Sequence, residues 1–270
     1  MDTNEISLND WITHRMLRGN YLFTKDDVTH SFPQKNQNYL RTNISRLTKK
    51  GVIISPWRNF YVAVPEEYRL KGVVPPLFYI DSMMRFFGMP YYVALLSAAS
   101  LYGAAHQVPQ FFMVMTNDDI RSIDRNGIRI VFVSRKRIPT TFLAKKRVQT
   151  GDVNVSSPAL TALDLIEYER KIGGLGRACE VLVELMEKVD FSDIGEDFYN
   201  ISQIPVYQRL GYLLEEVLGE KKQADLLFEG CKKAGLVFRK TPLKKGKATQ
   251  QAAVTRWKMQ VNTEIEMDEL

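Results

Sequence analysis

The hydrophobic positions near the start of the chain are spaced as in two short helices. A first helix is predicted over Ser7–Leu17, and its hydrophobic side consists of Leu8, Trp11, Ile12 and Leu17. A Gly-Asn pair ends it, and Thr24 is predicted to cap a second helix that ends near Phe32. Carboxylates follow in the first turn of that helix, at Asp26 and Asp27, where they interact favourably with the helix dipole.

A third helix and a hairpin follow. The helix is predicted over Lys35–Lys50, with Gly51 in the left-handed position that ends many helices. Strands are predicted over Val52–Ile54 and Phe60–Val64, with a turn at Pro56–Asn59 between them. Helix, helix, helix, hairpin is the order of a winged helix-turn-helix.

The remainder of the chain mixes helical and strand patterns. After a connection that contains Pro75 and Pro76, helices are predicted over Leu77–Phe87, Tyr91–Ala105, Leu175–Lys188, Pro205–Leu218 and Lys221–Ala234, with another opening at Ser157-Pro158. Strands of a small sheet are predicted over Phe111–Thr116, Arg129–Ser134 and Phe142–Thr150, and Val254–Asn262 alternates as a further strand would. The predicted fold class is therefore α+β: an N-terminal winged helix-turn-helix over residues 1–70, followed by a larger mixed α/β domain over residues 71–270.

Composition narrows the class of protein. The 270 residues are 45% hydrophobic and 25% charged, which is typical of a globular protein long enough for two domains. The two cysteines, Cys179 and Cys231, lack metal-ligand spacing, and no signal peptide precedes them. No hydrophobic stretch is long enough to span a bilayer. We therefore expect a reduced, cytoplasmic protein without cofactor, metal or membrane attachment.

The charge distribution is more informative than the net charge of +6. Three stretches contain basic residues and no acidic ones: Gln34–Lys50, Arg125–Gly151 and Lys232–Lys258. Each is also compatible with ordinary solvated loops and helix faces. Three such stretches in one chain favour a protein that binds a polyanion.

The third predicted helix has one hydrophobic side and one side suited to DNA. Leu40, Ile44 and Leu47 fall within a narrow sector that would face the core. The opposite half carries Asn38, Thr42, Ser45, Arg46 and Lys49, with Lys35 and Arg41 at its margins. Amide, hydroxyl and cationic side chains without an acid are what base edges and phosphates require. The alternative is a solvated helix face, although such faces usually mix Glu with Lys.

The predicted hairpin turn adds candidates of the same kind. Arg58 and Asn59 are predicted DNA contacts, with Arg58 on a phosphate or in the minor groove. Trp57 either joins them or packs back on the protein, and packing is the favoured alternative.

Catalytic patterns are sparse. His14, His30 and His106 have no partners at metal-ligand spacing, and His106 is expected to be structural. Asp164 and Glu167 lie three residues apart on a predicted helix, so a metal-dependent enzyme acting on nucleic acid stays open as an alternative. Capping or solvent contact is the simpler role for these two carboxylates.

The sequence resembles the AbiEi antitoxins, which are transcriptional regulators of type IV toxin–antitoxin systems that abort phage infection. Segments spread over most of the chain carry the resemblance: Leu47–Ile53, Asn59–Val62, Tyr91–His106, Val155–Ile166 and Trp257–Asn262. One departure concerns the turn, where the family often has Arg-Gly before the aromatic residue and this chain has Arg58-Asn59. Asn tolerates a positive φ, so we expect the turn itself to be retained.

The resemblance implies a function that the residues alone do not. Such a protein binds double-stranded DNA at inverted repeats in its promoter, and it thereby represses its own operon. It also counteracts a nucleotidyltransferase-like toxin without a stable complex, and an antitoxin that binds its toxin directly is the alternative. By the same analogy the C-terminal domain contributes to antitoxicity, and a second basic surface would consist of Arg135, Lys136, Arg137, Lys145, Lys146 and Arg147.

Overall fold

The computed structural model describes residues 6–70, 72–104, 109–125, 127–247, 252–253 and 255–267. Contacts divide the chain into two compact units. The first unit consists of Met1–Tyr91, Met115–Ile138 and Lys145–Asn154, and the second of Tyr92–Val114, Pro139–Ala144 and Val155–Leu270. The first unit thus extends past residue 70, and the domain boundary drawn there from the sequence stays a prediction.

The first unit opens with three helices and a three-stranded antiparallel sheet. Its elements are α1 (Leu8–Leu17), β1 (Leu22–Thr24), α2 (Lys25–Ser31), α3 (Gln37–Lys49), β2 (Ile53–Trp57) and β3 (Phe60–Ala63). The strand order is β1-β3-β2, with Phe23 opposite Tyr61 and Ile54 opposite Val62. The strand β1 was not predicted, since its three residues are too few to show an alternating pattern.

Local signals in the sequence set the bounds of these helices. The Ser7 side chain caps α1, and Thr24 forms a capping box with Asp27 at the start of α2. Asn36 caps α3 by accepting a hydrogen bond from the Tyr39 amide. Gly51 follows α3 with φ of +69°, which confirms the predicted helix end.

A hydrophobic cluster holds the three helices on the sheet. It includes Leu8, Ile12, Phe23, Val28, Phe32, Leu40, Leu47, Ile53 and Ala63. Burying each large aliphatic side chain contributes about 1.5–3 kcal/mol. The predicted inner side of α3 is confirmed, since Leu40 and Leu47 are buried and Ile44 packs against the cluster.

The prediction for Leu17 was wrong. This side chain is 80% exposed, whereas Leu8 and Ile12 are buried. Leu17 lies nine residues after Leu8, which at 3.6 residues per turn is the opposite side of a helix.

A six-stranded sheet follows, with strand order β6-β7-β5-β4-β9-β8. Its strands are β4 (Tyr91–Val93), β5 (Phe112–Thr116), β6 (Ile123–Arg125), β7 (Ile128–Ser134), β8 (Leu143–Val148) and β9 (Gly151–Ser156). The predicted helix over Tyr91–Ala105 was wrong at its start, because Tyr91–Val93 is a central, fully buried strand. Such strands are continuously hydrophobic and cannot be separated from buried helices by periodicity. The strands β6 and β9 were also missed.

Helices make up most of the remaining structure. They are α4 (Glu66–Arg69), α5 (Ile80–Phe87), α6 (Leu95–Leu101), α7 (Pro158–Glu167), α8 (Glu169–Ile172), α9 (Leu175–Leu185), α10 (Ile204–Tyr212) and α11 (Lys221–Lys233). Ser157 caps α7 as predicted, by accepting from the Leu160 amide, and eight consecutive residues of α7 are buried. Two short strands, β10 (Thr241–Pro242) and β11 (Met259–Gln260), pair in parallel near the end.

The described structure is thus a mixed fold of helices and sheets, which agrees with this part of the predicted fold class. Within the described residues, no helix is both long enough and hydrophobic enough to cross a membrane. Cys179 and Cys231 are buried and unpaired, and burial raises the pKa of each thiol to about 12.

Candidate nucleic-acid interface

One face of α3 collects most of the predicted DNA-binding residues. A shallow depression with a volume of about 500 Å³ runs along this face, and it is lined by Asn38, Arg41, Thr42, Ser45, Arg46 and Lys49. All six are exposed, and none is acidic. Their spacing of three and four residues aligns them, while Leu40 and Leu47 hold the opposite side in the core.

A groove of about 470 Å³ joins this face to the hairpin. Arg58 and Asn59 line it together with Asn38 and Arg41. The hairpin tip, defined as Arg58 and Asn59, is exposed. Two segments that are 17 or more residues apart in the sequence therefore present cations and amides to one groove. Lys35, before the helix, is also exposed, with its Nζ 5.4 Å from the centre of the Tyr39 ring.

The groove also contains residues that the sequence did not single out. Lys25 and Thr29 of α2 line it, as does Gln37 at the start of α3. Tyr39, in the first turn of α3, is 44% exposed although it is aromatic. The sequence marks Lys25 as the first residue after the predicted N-cap Thr24, but it does not show the packing of α2 against α3 that brings Lys25 to the groove.

The hairpin tip is narrower than predicted. Pro56 and Trp57 belong to β2, so only Arg58 and Asn59 form the turn. Asn59 has φ of +65°, and it therefore adopts the left-handed conformation expected from its amide side chain. The turn predicted over Pro56–Asn59 was too long by two residues. Pro occurs in turns, but it also occurs at strand positions where no backbone N–H is needed for a hydrogen bond.

Other parts of the first unit support this hairpin. Trp57 packs edge-on against Phe87, with ring centroids 5.1 Å apart, so the favoured alternative of packing on the protein is confirmed. The Ser55 hydroxyl hydrogen-bonds to the carbonyl oxygens of Trp57 and Phe60. Arg125 donates to the Ser55 carbonyl oxygen across 3.2 Å. These contacts hold β2 and its connection to β3 in place.

The second basic surface is not assembled as predicted. Arg135 is only 5% exposed, so it cannot contribute a free cationic side chain to a surface. It directly follows β7, and its backbone N–H donates to the Thr116 carbonyl oxygen. Lys136 and Arg137 are exposed.

The other half of that predicted surface lies on an edge strand. Lys145, Lys146 and Arg147 are exposed on β8, at the end of the sheet order. Arg147 pairs with Asp152 at 3.1 Å, and Lys145 donates to the Asn154 side chain. Three strands separate β8 from β7, and strands are spaced about 4.8 Å apart, so the two basic segments belong to separate parts of the sheet.

The acidic pair considered for catalysis is engaged in structural contacts. Asp164 is fully buried and accepts a hydrogen bond from the Tyr92 hydroxyl at 2.9 Å. Glu167 accepts from the Ser202 hydroxyl at 2.8 Å. Within the described ranges no three His, Cys, Asp or Glu side chains are grouped as metal ligands. His30 donates from Nδ1 to the Asp26 carbonyl oxygen in one tautomer, and His106 lies outside the described residues.

Comparison with known proteins finds a match for the central part of the chain. Residues 92–216 match the family model of the AbiEi antitoxin C-terminal domain. No curated protein matches the chain in sequence. Among solved structures, a protein described as "Crystal structure of RV2827C protein from Mycobacterium tuberculosis" has a TM-score of 0.64 and 14% identity, covering 92% of this chain and 89% of that one. At this identity the likeness shows a shared fold. The predicted resemblance to the AbiEi antitoxins is confirmed over residues 92–216, which match the C-terminal domain of that family.

Proposed function

We propose that this chain is a DNA-binding repressor and antitoxin, and that its first three helices and hairpin are a winged helix-turn-helix. The observation that carries the proposal is the continuous exposed face of α3, where Asn38, Arg41, Thr42, Ser45, Arg46 and Lys49 lie together without an acid. The family match supports a toxin–antitoxin regulator.

The shape of α3 suits the major groove of B-DNA. The groove admits one α-helix, and the N-terminal residues of a recognition helix contact the base edges. Asn38, Arg41 and Thr42 occupy that half of α3. An Asn amide is suited to adenine and an Arg guanidinium to guanine, so these side chains are the proposed base-reading residues.

The surrounding cations are suited to phosphates. Lys49 lies at the end of α3, Lys35 precedes it and Arg58 is at the hairpin tip. Lys25 joins them in the groove between α2 and the hairpin. Phosphate contacts before the helix, at its end and in the adjoining groove would fix its register on the duplex. Ser45 and Arg46 would extend the contacts along α3.

The regulatory role follows from the family rather than from the geometry. We propose that the chain represses its own operon by binding promoter inverted repeats. It would counteract a nucleotidyltransferase-like toxin without a stable complex, and without cofactor or catalysis of its own. The buried Tyr92–Asp164 hydrogen bond favours a structural role for the carboxylate that the enzymatic alternative requires.

A mobility-shift titration tests DNA recognition. The probes are the region immediately upstream of the gene and a scrambled duplex of equal length. We expect tighter binding to the upstream probe, and Arg41→Ala or Arg46→Ala should weaken it by about 1–3 kcal/mol where the guanidinium meets a base. The matched control is Arg69→Ala, which removes an exposed arginine of α4 that pairs with Glu66.

Two outcomes would contradict the proposal. Equal affinity for the upstream and scrambled probes excludes sequence-specific repression by this protein. Equal losses in the Arg41, Arg46 and Arg69 variants exclude α3 as the reading element. A stable complex of the chain with the toxin encoded beside it, recovered by co-purification, would instead support direct neutralisation.

A further inference from the structure

The side of α3 that faces away from the hairpin carries three polar side chains in a row. On the hairpin side, Gln37 and Arg41 line the groove with the hairpin tip. The outer flank, defined as Tyr39, Asn43 and Arg46, lies on the other side, where a spacing of four and then three residues aligns its members. The exposed face of α3 lies between these two sides, and Arg46 stands at its edge.

The half-buried amide of Asn43 uses both of its ends on this flank. Its Nδ2 donates to the Tyr39 carbonyl oxygen at 3.0 Å, and its Oδ1 accepts from Nη2 of Arg46 at 3.0 Å. A reversed amide would turn its NH2 towards the guanidinium donors and its oxygen towards the carbonyl oxygen, so both contacts require the same orientation. The bond to the Tyr39 backbone therefore aims the Asn43 oxygen at Arg46.

This bond draws the Arg46 guanidinium away from the middle of the exposed face. Arg46 is about 60° round the helix from Lys49, and Asn43 is about 60° farther in the same direction, since each residue turns the helix by about 100°. A guanidinium has five N–H donors, and the bond to Asn43 uses one of its nitrogens. The group is thus held at the side of the helix with donors left for an anion.

The side of a helix that lies in the major groove faces a phosphate backbone. The groove is about 12 Å wide, and a helix with its side chains is about 10–12 Å across, so the two sides of an inserted helix border the two strands. The hairpin tip would adjoin one strand, and the outer flank would adjoin the other. The position of the Arg46 guanidinium therefore suits a phosphate of that second strand better than a base edge.

We infer that Asn43 is a positioning residue that holds Arg46 ready for a backbone phosphate, so that Arg46 contributes affinity and not base recognition. The inference rests on the proposed function, because it requires α3 to lie in the major groove. A guanidinium that is oriented before binding loses less conformational freedom when the phosphate arrives. The Asn43–Arg46 pair thus fixes the register of α3, while Arg41 on the other side of the face stays a base-reading residue.

A double-mutant cycle in the full-length chain tests the pair. The variants are Asn43→Ala, Arg46→Ala and the two together, titrated at several salt concentrations with the upstream duplex and the scrambled duplex. The matched control is Thr48→Ala in the same helix, because the Thr48 hydroxyl likewise bonds to a carbonyl oxygen four residues earlier, that of Ile44 at 2.9 Å. Ala has a higher helix propensity than Asn, so Asn43→Ala should be about as stable as the parent, which thermal unfolding measures.

We expect Arg46→Ala to weaken binding to both duplexes by about eightfold at 0.1 M salt, with a salt slope smaller by about 0.9 for one phosphate. Asn43→Ala should weaken both by about twofold to fivefold with an unchanged slope, because the charge remains and only its orientation is lost. The double variant should bind no more weakly than Arg46→Ala, and Thr48→Ala should bind as the parent does. The ratio of the two affinities should stay constant throughout.

Four results would overturn the inference. A lower preference for the upstream duplex in Arg46→Ala would show that Arg46 reads a base. Additive losses in the double variant, an unaffected Asn43→Ala, or an equal loss in Thr48→Ala would each exclude a role for Asn43 through Arg46. Equal affinity of the unsubstituted chain for both duplexes would instead contradict operator recognition, while the Arg46 contact is still measured on the scrambled duplex. Failure to bind either duplex would overturn both proposals.

Discussion

The backbone N–H of Lys25 donates to the carbonyl oxygen of Asn59 across 2.9 Å, and this bond joins the first residue of α2 to the hairpin tip. Asn59 can accept it because its φ of +65° turns the chain sharply between β2 and β3. The groove lined by both α2 and the hairpin therefore depends on one left-handed residue.

Replacement of Asn59 tests this dependence. Asn59→Val should lower the free energy of unfolding by about 1–2 kcal/mol, because a β-branched residue is strained at positive φ. Asn59→Gly should leave stability unchanged or raise it slightly. Urea titrations of both variants measure the difference, and a Val variant as stable as the Gly variant would show that the turn relaxes without strain.

The capping box of α2 should contribute measurably to the stability of the folded protein. Thr24→Ala removes the hydroxyl that accepts from the Asp27 amide at 3.1 Å, and should destabilise the protein by about 0.5–2 kcal/mol. Thr24→Ser keeps the hydroxyl and serves as the control. Equal thermal midpoints for the Ala and Ser variants would argue against a contribution from the cap.

The close approach of Gly211 to Trp257 predicts a packing defect. The indole of Trp257 is fully buried, and a Cβ on residue 211 of α10 would overlap its ring. Gly211→Ala should therefore cost about 1–3 kcal/mol through overpacking, despite the better helix propensity of Ala. Gly195→Ala is the matched control, because nothing lies near its Cβ position. A stabilised Gly211 variant, measured by urea denaturation, would contradict the packing described.

Thiol reactivity should report the burial of both cysteines. The pKa values of Cys179 and Cys231 are raised to about 12 by burial, so the folded protein holds them as thiols at pH 8. In the unfolded chain the pKa of both thiols is the ordinary 9.0. The stability that the buried neutral thiols contribute is therefore fully present below pH 9, and it is lost as the pH rises from about 9 to about 12.

We expect neither thiol to react with a disulfide reagent such as dithionitrobenzoate at pH 8 until urea unfolds the chain, and both to react afterwards. Cys179→Ala and Cys231→Ala variants assign the signal to each thiol. Rapid reaction of either cysteine in the native protein at pH 8 would show that its surroundings open readily.

The sequence predicted the N-terminal helices well, because each has a local signal. Ser7, Thr24 and Gly51 mark helix ends, and the hydrophobic spacing of α3 identified both its buried and its exposed face. These features depend on residues within one helical turn of each other, so a single sequence contains them.

The errors came from features that depend on distant residues. Tyr91–Val93 is a strand only because β5 and β9 lie on either side of it. Arg135 is buried although it stands in an acid-free basic stretch, since charge along a sequence does not reveal which side chains beyond the end of a strand face the interior. Asn262 likewise forms hydrogen bonds with the backbone of Lys244 and Lys247, which lie 18 and 15 positions before it and so outside the reach of a local sequence pattern.

The contacts behind the hairpin limit how the three N-terminal helices and their sheet could be transplanted into another protein. Trp57 rests on Phe87, and Ser55 accepts from Arg125, so the hairpin depends on residues well past the last strand of the three-helix module. A graft that ends at residue 70 would transfer the α3 face but leave the hairpin without two of its contacts. A chimera that presents this hairpin on another protein would have to include α5 and β6 as well.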